Sequence, residues 1–533
     1  MRRHAFGLAA ILLLVTAACV ITPTGPAELP TPAETNTPSP NLEPTPLPTD
    51  TPEPTLPPVG GPDPSNRVAT FYYPWYRTPE VDTYWDHWGE GYFHPPLDIA
   101  SDYFPALGAY SVGDPAVLAQ HFAWHREAGV GVIISSWWGQ RSREDQAVGL
   151  LLDVADEYGI KVTFHIEPYS GRTADTLVSD IKYLYREYGD HPAFFRTTAS
   201  TRWSPDERAK GVFFAWAISV PDTESPPIEP SYWQEAMDTI HNLPDGALVI
   251  ANATEGYWID GGHFDGLYNY ASLHLEESGG FSWARGIPPD AWYVPSVIPG
   301  FSARRIRYPA EDNVPRRDGE TYREQWKAAL EVGVEPALVT VTSFNEWHEG
   351  SQIEPAAVGA ESGRGYTYLD YGALPPEGYL DLTNELAAEF LARKWPETTK
   401  MRVQMVTTSD WTDLSLVSGA QWLRPSMISV GEQATDAGIY DGVLALSQPI
   451  ARAEAGKSVE VIVDVLFSDW TSGGTVVFEI NRGHLGATRV ELFRYVDDEP
   501  VITESFEWHE IKDSGPNTSA FSIPADSLFG PND

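Results

Sequence analysis

From Arg67 to about Trp395, short apolar runs rich in β-branched and aromatic residues alternate with amphipathic stretches of helix length. The runs are 68–73, 130–136, 161–166, 212–217, 247–251, 264–270, 292–297 and 337–344. Helix-like segments between them include 115–128, 145–158, 173–188, 231–241 and 321–332. Asp114-Pro115 reads as a helix start, an N-cap followed by proline at the first helical position. Eight strands interleaved with helices predict an α/β fold, a (β/α)8 TIM barrel spanning 67–398. A doubly wound open sheet is the main rival. No G-x-G-x-x-G or P-loop follows any of the runs, which weakens the nucleotide-binding form of that rival.

The flanks differ in kind. Residues 1–19 begin with Arg2 and Arg3, continue as a short apolar run and end in Thr16-Ala17-Ala18-Cys19. The run is too short for a comfortable membrane span and fits a secretory signal. The ending is similar to a bacterial lipobox, with Thr16 where leucine is usual, so Cys19 is the expected lipidation site and the expected location is the cell surface. Cys19 is the chain's only cysteine, which leaves no internal disulfide and no cysteine-based zinc site. Residues 20–66 hold 15 of the 46 prolines, nine Thr, six acids and no Lys or Arg. Such a segment cannot bury a core and is expected to be an extended spacer. Residues 399–533 show strand-like runs (459–467, 475–480, 489–495 and 501–508) without helix-length patterns between them, which predicts a C-terminal β-sandwich. Trp411, Trp422, Trp470 and Trp508 could serve there as sugar-stacking platforms or as core; a packing or spacer role is the preferred reading. Across 533 residues, 75 acids against 35 bases give a formal charge of −40. A polyanion of this kind repels nucleic acid and anionic membrane surfaces, so membrane contact is expected only through the lipid anchor.

In a barrel, chemistry collects where strands end and βα loops begin. The first run ends in Tyr72-Tyr73-Pro74-Trp75-Tyr76 and the second in Ser136-Trp137-Trp138. The third ends in His165-Ile166-Glu167-Pro168-Tyr169, the sixth near Tyr268-Asn269-Tyr270, and the eighth in Asn345-Glu346-Trp347-His348-Glu349. Glu346 and Glu349, three apart, face the same way on a turn. Two carboxylates in one cleft push their pKa values apart, leaving one acid and one base near neutrality. Glycosidic bond cleavage needs that pair. An exposed pair of helix-start acids is the bland alternative. Glu167 could bind sugar hydroxyls, tune a catalytic acid or form a buried ion pair. A metal site drawn from His165, Glu167, His348 and Glu349 lacks H-E-x-x-H or similar spacing, and no G-x-S-x-G elbow is present. Adjacent residues point to opposite sides of a strand, so one of Trp137 and Trp138 can line the cleft while the other packs outward.

The chain resembles glycoside hydrolase family 99, the endo-α-1,2-mannosidases and mannanases, over roughly Val68 to Trp395. The likeness rests on FYYPWY (71–76), DIASDYFPALGAYSVGDP (98–115), VTFHIEPYSGR (162–172), YGDHPAFFR (188–196), FDGLYNY (264–270), VPSVIPGF (294–301) and TSFNEWHEGSQIEPA (342–356). It implies a (β/α)8 barrel and a retaining endo-glycosidase acting on α-mannan or a mannose-containing glycan. In the family, the first glutamate of the E-W-H-E motif deprotonates the substrate's own 2-hydroxyl to form a 1,2-anhydro sugar; the second is general acid, then base. By position these roles fall on Glu346 and Glu349. Tyr73, Trp137, Trp138, His165, Glu167, Tyr270, Arg307, Asn345 and His348 are the implied substrate-binding set. No metal or cofactor is implied. After the fourth run the family tends to carry an Asp-Ser-Tyr-like stretch, whereas this chain reads Ala215-Trp216-Ala217-Ile218-Ser219, and the stretch after Tyr270 also diverges. An endo-glycosidase on another α-glycan, or an inactive glycan-binding surface lipoprotein, are the alternatives.

Overall fold

The computed structural model describes residues 63–395, apart from 220–227, 274, 276–279, 289, 308–312, 333 and 394, together with the strands between 399 and 524. Eight parallel strands form a ring: β1 (Ser65–Tyr72), β2 (Val130–Trp137), β3 (Lys161–Ile166), β4 (Lys210–Ala215), β5 (Ala247–Asn252), β6 (Gly266–Tyr268), β7 and β8 (Val339–Val341). Pro295, which has no amide hydrogen to give, splits β7 into Trp292–Val294 and Ser296–Val297. The first half pairs with β6 and the second with β8. β8 then pairs with β1, Val341 opposite Thr70, and the ring closes. This is the expected (β/α)8 barrel.

Local chemistry places the helices α1 (Pro115–Glu127), α2 (Arg143–Glu157), α3 (Ala174–Tyr188), α4 (Gln234–His241), α5 (Glu320–Glu331) and α6 (Gly378–Ala392) around it. The Asp114 carboxylate accepts the Ala116 amide at 2.9 Å, with Pro115 opening α1 as the sequence indicated. Ser142 caps α2 through the Asp145 amide, and Thr173 forms a capping box with Thr176 at the start of α3. Gly131 in β2 has a steric reason: a Cβ there would sit 2.5 Å from the Ser65 carbonyl group of β1.

Alternation along the strands separates two cores. Ala69, Phe71, Tyr73, Val132, Ile134, Val212, Phe214, Leu248, Ile250 and Tyr268 fill the barrel interior. Val68, Tyr72, Ile133, Trp137, Phe164, Ile166 and Phe213 pack outward against the helices. Trp137 is therefore core: it is fully buried, donates Nε1 to Asp145 Oδ1 at 3.0 Å and lies against Tyr183 of α3. The expectation of a cleft-lining Trp137 is corrected by this alternation, and half-buried Trp138 is the member of the pair left at the strand end.

Three departures from the expected elements have physical causes. β8 stops at Val341 rather than running to 344, because the following loop folds on itself. Within that loop the Ile353 amide donates to the Ser343 carbonyl and the Ser343 amide to the Ser351 carbonyl. α4 starts at Gln234, after a 3-10 turn over Pro230–Tyr232. Helix α6 was not among the expected segments; it covers Trp326 and Tyr322 of α5 with Tyr379 and Thr383, the latter bonded to the Tyr322 hydroxyl at 3.0 Å.

Beyond the barrel the strands are antiparallel. Residues 433–435, 423–430, 458–465, 399–407, 485–496 and 499–508 form one sheet in that order, and 413–416, 475–481, 518–524 and 513–515 another. Four of these strands fall on the four strand-like runs of the sequence. The side chains of Trp411, Trp422, Trp470 and Trp508 lie outside the described residues, as do Cys19 and the spacer up to residue 62.

Asp145 is the test of the outer shell. Its buried carboxylate accepts from Trp137 Nε1, the Arg141 amide (2.7 Å) and the Tyr183 hydroxyl (2.6 Å). Asp145→Ala leaves these donors unpaired and is expected to destabilise the barrel by about 3–5 kcal/mol. Asp153→Ala, at an exposed carboxylate paired with His191, is expected to change stability by less than about 0.5 kcal/mol. Urea unfolding of both variants against the parent checks the contrast.

Candidate active site

Residues at the C-terminal ends of the strands converge above the barrel interior. β1 supplies Tyr73, β2 Ser136 and Trp138, β3 His165 and Glu167, β4 Trp216, and β6 Tyr268 and Tyr270. The loop after β8 brings Glu346, His348 and Glu349, and the turn after Phe301-Ser302 brings Arg307. The β8 loop is pinned at its root. The Asn345 side chain accepts the Tyr73 amide at 2.8 Å and donates to the Tyr73 carbonyl at 3.1 Å. The Glu346 amide donates to Ser343 Oγ at 2.8 Å. Trp347 Nε1 donates to the fully buried Glu354 carboxylate at 2.9 Å.

Glu346 is buried, and its Oε1 accepts the His348 amide at 3.1 Å. Burial drives its pKa well above the ordinary carboxylate value; the neighbouring charge of Glu349 adds to this, and Arg307 opposes it. Glu349 is partly open to the cleft and receives Arg307 Nη2 at 3.1 Å. Burial raises its pKa too, against the pull of the Arg307 guanidinium and with a further push from Glu167. The Tyr73 and Tyr270 hydroxyls bond each other, and burial lifts both pKa values well above that of a free phenol. They remain neutral donors beside the acids. Glu167 Oε1 accepts from Ser136 Oγ at 2.8 Å and from His165 Nδ1 at 2.9 Å.

Two further sequence readings change. Asn345 is fully buried, and its amide is used on the Tyr73 backbone. It joins β1 to the β8 loop and does not face a substrate. His165 is buried with one ring nitrogen on Glu167 and the other on the Tyr268 hydroxyl at 2.6 Å. It orients Glu167 from beneath, with its ring stacked on Tyr270. His348 puts Nε2 on the His87 carbonyl at 2.6 Å, and burial lowers its pKa to about 4.

Several neighbours escaped sequence reasoning. Ser136 and Tyr268 lie in strand-end runs where the neighbouring tryptophans and Tyr270 carry the stronger signal. Trp216 packs edge-on to Tyr270, with centroids 5.0 Å apart. Arg172 holds the Trp216 and Ala217 carbonyls, the latter at 2.8 Å, with Ala217 at φ +48°. The long β1–α1 connection contributes Trp75, His87 and Glu90, for which no periodicity gave a signal. Among the described residues, His87, Glu90 and His348 are the one group of His, Cys and acidic side chains close enough to share a metal ion.

A parallel barrel carrying two neighbouring carboxylates, one buried and one partly open, with an arginine and tyrosine hydroxyls at its C-terminal mouth is the arrangement of a glycoside hydrolase. The chain belongs to glycosyl hydrolase family 99, whose sequence profile matches residues 64–392. It is 32% identical over 361 residues to the mouse glycoprotein endo-alpha-1,2-mannosidase, a match covering 61% of this chain and 74% of the relative. It is 33% identical over 380 residues to a zebrafish glycoprotein endo-alpha-1,2-mannosidase-like protein, covering 63% and 81%. Its fold is similar to the GH99 endo-alpha-mannosidase from Bacteroides thetaiotaomicron, with a TM-score of 0.54 at 33% identity over 62% of this chain and 99% of that one.

Arg307 opposes burial at Glu349, so its removal has a signed consequence. In Arg307→Met, the limb of the pH–kcat/KM profile that reports Glu349 is expected to move to higher pH, since desolvation then acts with less opposition. An unmoved profile would separate Arg307 from the titration of Glu349.

Proposed function

We propose that the protein is an endo-acting α-mannosidase that cleaves α-1,2-linked mannose-containing glycans with net retention. The observation that carries this reading is the placement of Glu346 and Glu349 on one short loop, with Arg307 bonded to Glu349 and the charge of both acids felt by the hydrogen-bonded Tyr73–Tyr270 pair. Burial makes the Glu346 carboxylate more basic than a solvated one, a better match for an alcohol proton. The His348 amide and Arg307 offset the cost of its charge. Two neighbouring, poorly hydrated carboxylates favour a single negative charge between them. In the free protein the deeper burial of Glu346 and the Arg307 contact at Glu349 favour the proton on Glu346; the proposed roles require it on Glu349 once substrate is bound.

The proton inventory closes over two steps. Glu346 takes the proton of the sugar 2-hydroxyl, O2 bonds to the anomeric carbon, and the bond to the leaving glycan breaks as Glu349 protonates its oxygen. Glu349, now a carboxylate, takes a proton from water; the water oxygen bonds to the anomeric carbon, the 1,2-anhydro ring opens, and Glu346 returns its proton to O2. Two inversions give retention. Glu167, held by His165 and Ser136, is suited to accept hydrogen bonds from sugar hydroxyls, and Trp138 to lie against a ring face. Trp216, where the family tends to carry a polar stretch, favours a second reading in which the outer subsites select another α-glycan.

Glu346→Gln and Glu349→Gln are each expected to lower kcat by roughly a hundredfold or more, with the barrel still folded by circular dichroism. NMR of the freshly released reducing end, on α-1,2-branched mannan and on a Glc-α-1,3-Man-capped oligosaccharide, tests the mechanism and ranks the substrates. Early α-anomer is expected; early β-anomer means inversion and removes the role given to Glu346. The same reading puts the enzyme on a lipid anchor at Cys19. Labelled fatty acid is expected to enter the parent in a bacterial host and not Cys19→Ser.

A further inference from the structure

We propose that His87, Glu90 and His348 form a binding site for a zinc-class divalent cation at the edge of the cleft. His87 Nδ1 lies 3.2 Å from Glu90 Oε1, and His348 Nε2 lies 3.8 Å from the same oxygen. All three donor atoms fall within 4.8 Å of one another. A tetrahedral zinc ion with nitrogen and oxygen ligands about 2.0–2.2 Å away sets its donors roughly 3.4 Å apart. Two of the separations are already near that value, and rotation of the half-exposed His87 side chain can shorten the third. Two imidazoles and one carboxylate suit Zn2+, Co2+ or Cu2+ better than Mg2+ or Ca2+, which take oxygen ligands.

The surroundings favour the site. His87 and Glu90 both have positive φ, +59° and +41°, ahead of Gly91 at +70°. This backbone curl turns the two side chains toward His348, at a conformational cost. Both imidazoles lie over Trp75, His87 at 4.6 Å and 11°, His348 at 6.2 Å and 22°. The side chains of His87 and Glu90 are 29% and 30% exposed, so an ion has a path from solvent.

Occupancy has a consequence for Glu346. His348 Nε2 now faces the His87 carbonyl at 2.6 Å and carries the ring proton there. For a metal to bind at Nε2 the ring proton leaves that nitrogen and one is carried on Nδ1 instead, which frees the Nε2 lone pair with no net gain or loss of protons. Nδ1 faces Glu346 Oε1 at 3.8 Å. Metal-bound histidines commonly give their second N–H to a carboxylate, and Glu346 is placed to receive it. This part rests on the functional reading above: a Glu346 Oε1 engaged by the His348 ring is turned away from the substrate's 2-hydroxyl, so the filled site slows hydrolysis.

The test uses the untagged full chain, stripped with a chelator and titrated with Co2+. One equivalent is expected to give the visible absorption of four-coordinate Co2+, and Zn2+ to abolish it. His87→Ala and Glu90→Gln are each expected to weaken binding at least tenfold. Absence of the band, or a band unchanged in both variants, overturns the site. Hydrolysis is then compared with and without Zn2+ within each protein, as a ratio. Slowing in the parent and little in the variants supports the coupling, and binding without slowing overturns the link to Glu346. If the metal-free parent cleaves neither glycan, the functional reading fails while the Co2+ spectrum still decides the site.

Discussion

The mouth of the barrel depends on one carboxylate closed off from the surface. Glu354 is fully buried and accepts from the Tyr110 hydroxyl at 2.7 Å and from Trp347 Nε1 at 2.9 Å, with His121 of α1 beside it at 3.3 Å. An unpaired charge at such depth costs several kcal/mol. The three neighbours come from the β1–α1 connection, from α1 and from the β8 loop, with Tyr110 and Trp347 both donating to Oε2 and His121 standing beside Oε1, so the carboxylate meets them only when all three segments are in place. The loop that carries Glu346 and Glu349 is fixed by this requirement before any substrate arrives. Arg316 does the same from the other side: surrounded by Tyr103, Tyr371 and Tyr379, it donates to the Gly350 and Gln352 carbonyls at 2.9 and 2.6 Å.

The two acids inherit their chemistry from this scaffold. A loop on the surface would leave both ionised and separately solvated. Held beneath Tyr73 and Tyr270, they share a poorly hydrated space in which protonation of one is linked to ionisation of the other. Arg307 keeps the pair from becoming wholly neutral. Its own position follows from its turn, where the Ser302 hydroxyl and the Arg304 amide donate to buried Asp102 at 2.6 and 3.0 Å. Arg305 pairs with Asp98 at 2.6 Å and packs on Tyr366.

Much of the barrel was legible because a strand buried on both faces leaves an unbroken apolar run. The clearest cases are 130–136 and 161–166, which the structure matches to within one residue. Element ends were less legible where tertiary contacts decide them. β8 is shorter than its apolar run because the loop's own hydrogen bonds replace pairing with the sheet. The strand-end rule gathered Tyr73, Glu167, Tyr270, Glu346 and Glu349 correctly at one mouth, but it could not say which way a side chain points. Trp137 and Trp138 differ only by the pleat, and Asn345 and Glu346 only by which one turns inward to the β1 backbone. His87 and Glu90 left no trace in the pattern, since an irregular connection of some forty residues between β1 and α1 has no period to read.

Asn345 gives the family motif a second meaning. Its amide offers one donor and one acceptor to the Tyr73 backbone, the same pair that a neighbouring strand residue would offer. A carboxylate in its place lacks the donor, and glutamine is one methylene longer. Substitution at this position therefore disturbs register rather than reaction. Loss of activity on its replacement would look like loss of a catalytic group, whereas Asn345 is a rung of the sheet made from a side chain.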